Sequence, residues 1–97
     1  MNKPAYLVVD AKSTDPERMV EYRRLSSIAV ERFGARFLVR GGAYDVLEGG
    51  WRPQRLVVIE FPDMEKAKAF YDSPEYVAAR KAREGVSSFD MVLVEGY

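Results

Sequence analysis

Three runs in this chain, residues 5–11, 55–61 and 88–95, are rich in β-forming residues and apolar at positions facing both ways. Runs of that kind predict strands that need cover on both faces. A fourth, shorter run over 36–40, Arg-Phe-Leu-Val-Arg, carries charge at both ends. Two amphipathic segments lie between these runs, and two helices cover only one face of a small sheet. The other face therefore needs a cover from outside the fold, and a second copy of the chain is the economical candidate.

The helices announce themselves by their caps. Residues 13–17, Ser-Thr-Asp-Pro-Glu, allow two starts: a capping box of Thr14 with Glu17, or Asp15 as cap with Pro16 at the first helical position. The stripe Met19, Tyr22, Leu25, Ala29, Val30 and Phe33 follows on one broad face, and Gly34 is a natural stop. Ile28 falls off that stripe, as single exposed apolar residues commonly do. Pro62 and Asp63 open a second helix with Asp63 as cap and Met64, Ala67, Phe70 and Tyr71 as its stripe. Ser73 and Pro74 restart it, and the new piece runs over 76–84 to stop at Gly85. Between the second and third strands, Gly41-Gly42 ends or bends the chain. Residues 44–48 have strand-like composition, Gly49-Gly50 turns, and the stretch reads as an arm extending the sheet edge.

The order is β-α-β-β-α-β with a broken second helix. That is the ferredoxin-like α+β arrangement, an antiparallel sheet with both helices on one face. At 97 residues the chain suffices for one domain, 1–97, whose core is marginal unless a partner adds burial.

Composition narrows the chemistry. There is no cysteine and no histidine, which removes thiol nucleophiles, catalytic imidazole, imidazole or thiolate zinc sites and a histidine-ligated haem. Proton transfer falls to Asp, Glu, Lys or Tyr, and neither a metal nor a cofactor is called for. Fifteen basic residues balance fifteen acidic ones, so there is no excess charge to neutralise phosphates, and nucleic acid is not an expected partner. No apolar run approaches the roughly 20 residues of a membrane span, and the first five residues lack a signal-peptide pattern. A cytoplasmic protein with no membrane partner is expected.

Three groups of residues are candidates for a site. Asp10, Arg40 and Glu60 place charge near the ends of apolar strands. With the second strand flanking the third, Arg40 and Glu60 are expected to meet, either as an ion pair fixing register or with Arg40 clamping an anion or carbonyl in the pocket between sheet and helices. Tyr76, Arg80 and Arg83 share one helix face, where a phenol beside guanidinium groups suits a carboxylate or enolate oxygen; the plainer reading is a core tyrosine with solvated arginines. Glu48, Trp51 and Arg55 belong to the arm, and Trp51 either lids a pocket or buries itself against a partner subunit. Asp90 and Tyr22 are reserve acid–base or pocket-wall groups, with core packing the simpler role for Tyr22.

Several of these motifs together resemble the DUF1330 family: residues 36–42, then Leu47-Glu48-Gly49, Trp51 and Pro53, then 55–62, 71–76, Arg83 and 94–96. Ala35 departs from it, since a second glycine usually follows Gly34 there, which should alter only the turn before the second strand. The resemblance implies the dimeric α+β barrel superfamily, in which two ferredoxin-like sheets face each other to form a homodimer. The family's name records no function. Three function classes follow: a protein binding a small organic, anionic molecule between sheet and helices; a cofactor-independent enzyme of monooxygenase or isomerase type; or a structural interaction module. In the enzyme, Arg40 or Arg83 would stabilise an anion while Glu60, Asp90 or a tyrosine moved the proton.

Overall fold

The structure is a computed structural model that describes residues 3–97. Seven elements follow one another: β1 (Ala5–Ser13), α1 (Pro16–Arg32), β2 (Arg36–Arg40), β3 (Leu56–Phe61), α2 (Met64–Asp72), α3 (Pro74–Ala82) and β4 (Ser87–Glu95). The strands form one antiparallel sheet in the order β2-β3-β1-β4, with both long strands, β1 and β4, side by side.

Of the two possible starts for α1, the one at Asp15 is realised. Its Oδ1 accepts from the backbone N–H of Glu17 at 3.1 Å and Arg18 at 3.2 Å, with Pro16 at the first helical position. Gly34 leaves the helix with φ +66°, a conformation that costs glycine nothing. Asp63 caps α2 through the N–H of Lys66 at 2.8 Å. Ser73 ends α2 and begins α3: its Oγ donates to the Phe70 carbonyl at 2.7 Å and accepts from the Tyr76 N–H at 3.1 Å.

Alternation along β1 sends Ala5, Leu7, Val9 and Ala11 to the helices, and all four are buried. Their partners across the ladders, Phe61, Ile59 and Val57 on β3 and Leu93, Met91 and Phe89 on β4, share that face. Against it lie Met19, Tyr22, Ala29 and Val30 from α1 and Ala67, Phe70, Tyr76 and Ala79 from the other helices. Phe61, Phe70 and Tyr76 are the largest fully buried side chains. Phe70 stacks obliquely on Tyr76 at 4.4 Å between ring centres and on Phe61 at 5.0 Å. Each such ring contributes about 2–3 kcal/mol by leaving water.

Among the described residues, no helix covers the other face of the sheet, which the arm reaches at Asp10. Val8, Val58, Val92 and Val94 point out from it, and Val92 is 63% exposed.

The arm does not extend the sheet as its composition predicts. Gly41, at φ +73°, turns the chain away after β2, and residues 42–47 take no regular form. Side chains close the excursion instead: Tyr44 Oη donates to the Pro53 carbonyl at 2.6 Å. On the return, Asp10 Oδ1 accepts from the Gln54 N–H at 2.9 Å, while Trp51 Nε1 lies 3.4 Å from Asp10 Oδ2. This accounts for a buried aspartate in an apolar strand: the returning arm supplies its donors.

Candidate anion site

The expected pairing of Arg40 with Glu60 does not occur. Glu60 stands opposite Arg36 in the β2–β3 ladder, and Arg36 Nε donates to Glu60 Oε1 at 2.8 Å while Tyr6 Oη donates to Oε2 at 3.2 Å. The reason is strand direction: β2 runs antiparallel to β3, so Arg36 lies at the Glu60 end and Arg40 at the Val57 end. β2 also carries a register shift. Phe37 opposes Ile59, yet Val39 opposes Val58, leaving Leu38 as an extra residue. In a regular strand Arg36 and Arg40 would share a face. The bulge reverses the alternation, so Arg36 stays on the open face while Arg40, opposite Val57, turns with Phe37 toward the helices.

There Arg40 stacks on Phe37, its guanidinium carbon 3.8 Å from the ring centre. Nη1 donates to Ser27 Oγ at 2.9 Å and Nη2 to the Arg23 carbonyl at 3.0 Å. A guanidinium has five N–H groups, so three remain uncommitted. Arg55 sits beside it, its Nη2 3.4 Å from the Arg40 carbonyl and its guanidinium tucked under Gly41. Arg23 on α1 completes the group. Among the described residues none of these three arginines has a carboxylate partner; the ion pairs are Lys12–Asp90, Arg24–Glu21, Arg32–Glu75 and Arg36–Glu60. Burial, then the charge of Arg55, lowers the pKa of Arg40 from its ordinary value. A guanidinium starts so high that it stays protonated at neutral pH.

The three arginines stand at the mouth of a cavity between sheet and helices. Leu7, Val9, Val57, Ile59, Met19 and Met91 supply apolar walls, and Tyr22 and Tyr76 bring hydroxyls. The cavity is small, with about 30 Å³ of room for water-sized molecules. That room holds roughly two waters. Tyr22 Oη and Tyr76 Oη lie 2.7 Å apart and are buried. Burial and the neighbouring Tyr22 hydroxyl push the Tyr76 phenol far above its ordinary pKa, so it stays neutral.

The structure thus brings together Tyr22, Tyr76, Arg40 and Arg55 from the residues singled out in the sequence. Arg83 lies behind the tyrosines, with its guanidinium carbon 3.9 Å from the Phe89 ring centre and 5.5 Å from that of Tyr22. Its Nε is buried without a hydrogen-bond partner, as is that of Arg80, which stacks on Tyr71 at 4.3 Å. Glu60, Asp90 and Trp51 belong to the open face, across the sheet from the cavity, and Asp90 is engaged by Lys12. Glu48 is exposed on the arm. Sequence reasoning missed Arg23. Its signal is its place three and four positions before Ser26 and Ser27, a polar flank bordering the apolar stripe of α1. Among the described residues, no cluster of three or more acidic side chains is placed to hold a metal ion, and no helix is long and apolar enough to cross a membrane.

A family model for a domain of unknown function, DUF1330, matches residues 4–97. A protein of unknown function from Rhodopseudomonas palustris is similar in structure, with a TM-score of 0.77 at 17% identity, over 100% of this chain and 85% of that one. A dimeric protein of unknown function and ferredoxin-like fold from Bacteroides fragilis gives 0.57 at 18%, covering 96% of each chain. SnoaB, a cofactor-independent oxygenase from Streptomyces nogalater, gives 0.56 at 11%, over 98% of this chain and 94% of that one. Identities this low speak for the fold alone. No match was found among curated proteins.

Proposed function

We propose, for a chain that belongs to the DUF1330 family of domains of unknown function, that it binds a small organic anion in the cavity between sheet and helices. The carrying observation is the group Arg23, Arg40 and Arg55, three cations at one cavity mouth with no carboxylate among the described residues to balance them. Clustered guanidinium groups repel one another, and a bound carboxylate relieves that repulsion with bidentate bonds. The hydrocarbon part of the ligand then lies on the apolar walls. Met19 and Met91 are the residues that give way as it enters, because an unbranched thioether repacks at low cost.

Binding is favoured over catalysis by where the carboxylates lie. An enzyme built on Arg40 with Glu60 or Asp90 as proton carrier needs both at one cavity, whereas the sheet separates them. SnoaB and this chain share a fold, and that alone transfers no activity. The working unit in this proposal is a cytoplasmic homodimer joined through the open sheet faces. The uncovered valines of that face support this, as does the dimeric Bacteroides fragilis neighbour.

The test is calorimetric titration of the full chain with short aliphatic and aromatic monocarboxylates, beside an Arg40→Met variant that keeps contact with Phe37. The expected result is saturable binding by the wild type and an affinity loss of at least about tenfold in the variant, with circular dichroism unchanged. Carboxylates that do not bind, or that bind the variant as tightly, would sink the proposal.

A further inference from the structure

The floor of the cavity carries a hydrogen-bonding imbalance. Tyr22 and Tyr76 bring two hydroxyl protons to a pair of oxygens 2.7 Å apart. Only one proton can lie on that line, whichever oxygen donates. Among the described residues no other acceptor lies within hydrogen-bond distance of either oxygen, and the charged neighbours of the pair are Arg83 and Arg40, which donate only. One O–H is therefore left without an acceptor in the protein, at a place where both tyrosines line the cavity. An unmatched buried hydroxyl is costly, and the proteins that keep one place an acceptor there from elsewhere.

We infer that the ligand carries two acceptors at opposite ends, a carboxylate for the arginine mouth and a carbonyl oxygen for the tyrosine floor, which makes it a short oxo acid. This rests on the anion-binding reading above and narrows it to a chemical class. A carbonyl suits the floor better than an alcohol does, because it accepts and brings no proton of its own to be satisfied. Val9, Val57 and Ile59 supply an apolar wall that suits methylenes.

The experiment compares matched acids on the full-length protein by calorimetry: pentanoate against 4-oxopentanoate, and hexanoate against 5-oxohexanoate. The wild type is expected to bind at least one oxo acid about tenfold more tightly than its parent, the discrimination of a site built to hydrogen-bond the missing oxygen. In the double variant Tyr22→Phe/Tyr76→Phe both floor hydroxyls are gone, and the two members of each pair are expected to bind alike. Equal affinities in the wild type would overturn the oxo-acid inference while leaving the anion site standing, provided Arg40→Met still weakens both acids. A preference that survives in the double variant would overturn it too. Failure of all four acids to bind would bring down this inference together with the anion reading.

Discussion

Tyr76 is fully buried, hydrogen-bonded to Tyr22 and held neutral by its surroundings. Its raised pKa has a direct consequence for stability. In the unfolded chain the phenol ionises around its ordinary value of 10.0, whereas in the folded chain it does not until far higher pH. The stabilisation is complete below about pH 10 and falls above it by about 1.4 kcal/mol per pH unit, because only the unfolded state releases the proton. Denaturation of wild type and Tyr76→Phe between about pH 9 and about pH 11 should show the difference between them shrinking by that slope. A constant difference would mean that the hydroxyl ionises freely in the fold. Gly41 gives a second residue-scale test. A Cβ there clashes with the Arg55 guanidinium, and the backbone is left-handed. Gly41→Ala should cost about 1 kcal/mol for the conformation. It should also swing Arg55 out of the mouth, weakening carboxylate binding severalfold, while Gly42→Ala, with open space around it, should change neither. At this scale the sequence reveals residue types but not their partners. It singles out Arg40, Tyr22, Tyr76 and Arg55, yet pairs Arg40 with Glu60, whereas the antiparallel register sets Arg36 opposite Glu60 and the extra residue in β2 turns Arg40 to the other face.

At the scale of elements, the joint between α2 and α3 sets the position of Tyr76. Ser73 Oγ serves both helices, closing one through Phe70 and opening the other through the N–H of Tyr76 itself. Ser73→Ala removes a buried cap, with an expected loss of about 1–2 kcal/mol measured by urea denaturation. It also loosens the ring that forms the cavity floor, so any oxo-acid preference should shrink with it. A loss below about 0.5 kcal/mol would show that the proline at the first helical position fixes the joint unaided. Caps are written locally, in two to four adjacent residues, and all three were readable in advance, with Thr14 and Asp15 left as rival starts for α1. The arm was not readable. Its alternating apolar residues satisfy the strand pattern, but a strand needs a neighbour to pair with, and none is offered to residues 44–48 once Gly41 has turned the chain. The arm's real fastening, an aspartate on β1 taking backbone and indole donors from beyond Gly50, joins residues some 40 positions apart and leaves no periodic trace.

Among the described residues, the molecule is a layer of helices on one face of a sheet whose second face no helix covers. Four strands at ~4.8 Å spacing and nine residues at ~3.4 Å rise give a face of at most roughly 19 by 30 Å. With side-chain relief this approaches the ~800 Å² that each partner contributes to a standard interface. Its charges do not forbid covering it. Glu60 is held by Arg36 and Tyr6, and Asp90 by Lys12, so a second copy can close over the valines without stranding an unpaired ion. The uncovered face was legible from the sequence, since strands apolar on both faces exceed what two helices can cover. Val92 stands at 63% exposure on this face, directly across from Val8. Val92→Glu places two like charges at or near the twofold seam and should convert a dimer to a monomer in sedimentation velocity, with far-UV circular dichroism retained. The consequence for the cavity separates two designs. The cavity and its arginines lie on the helix side, away from the seam. A monomeric Val92→Glu protein should therefore still bind carboxylates with near wild-type affinity, while its stability drops for want of the buried face. If dissociation instead abolishes binding, the partner contributes to the site. A wild type that sediments as a monomer would leave the bare sheet face without its proposed cover.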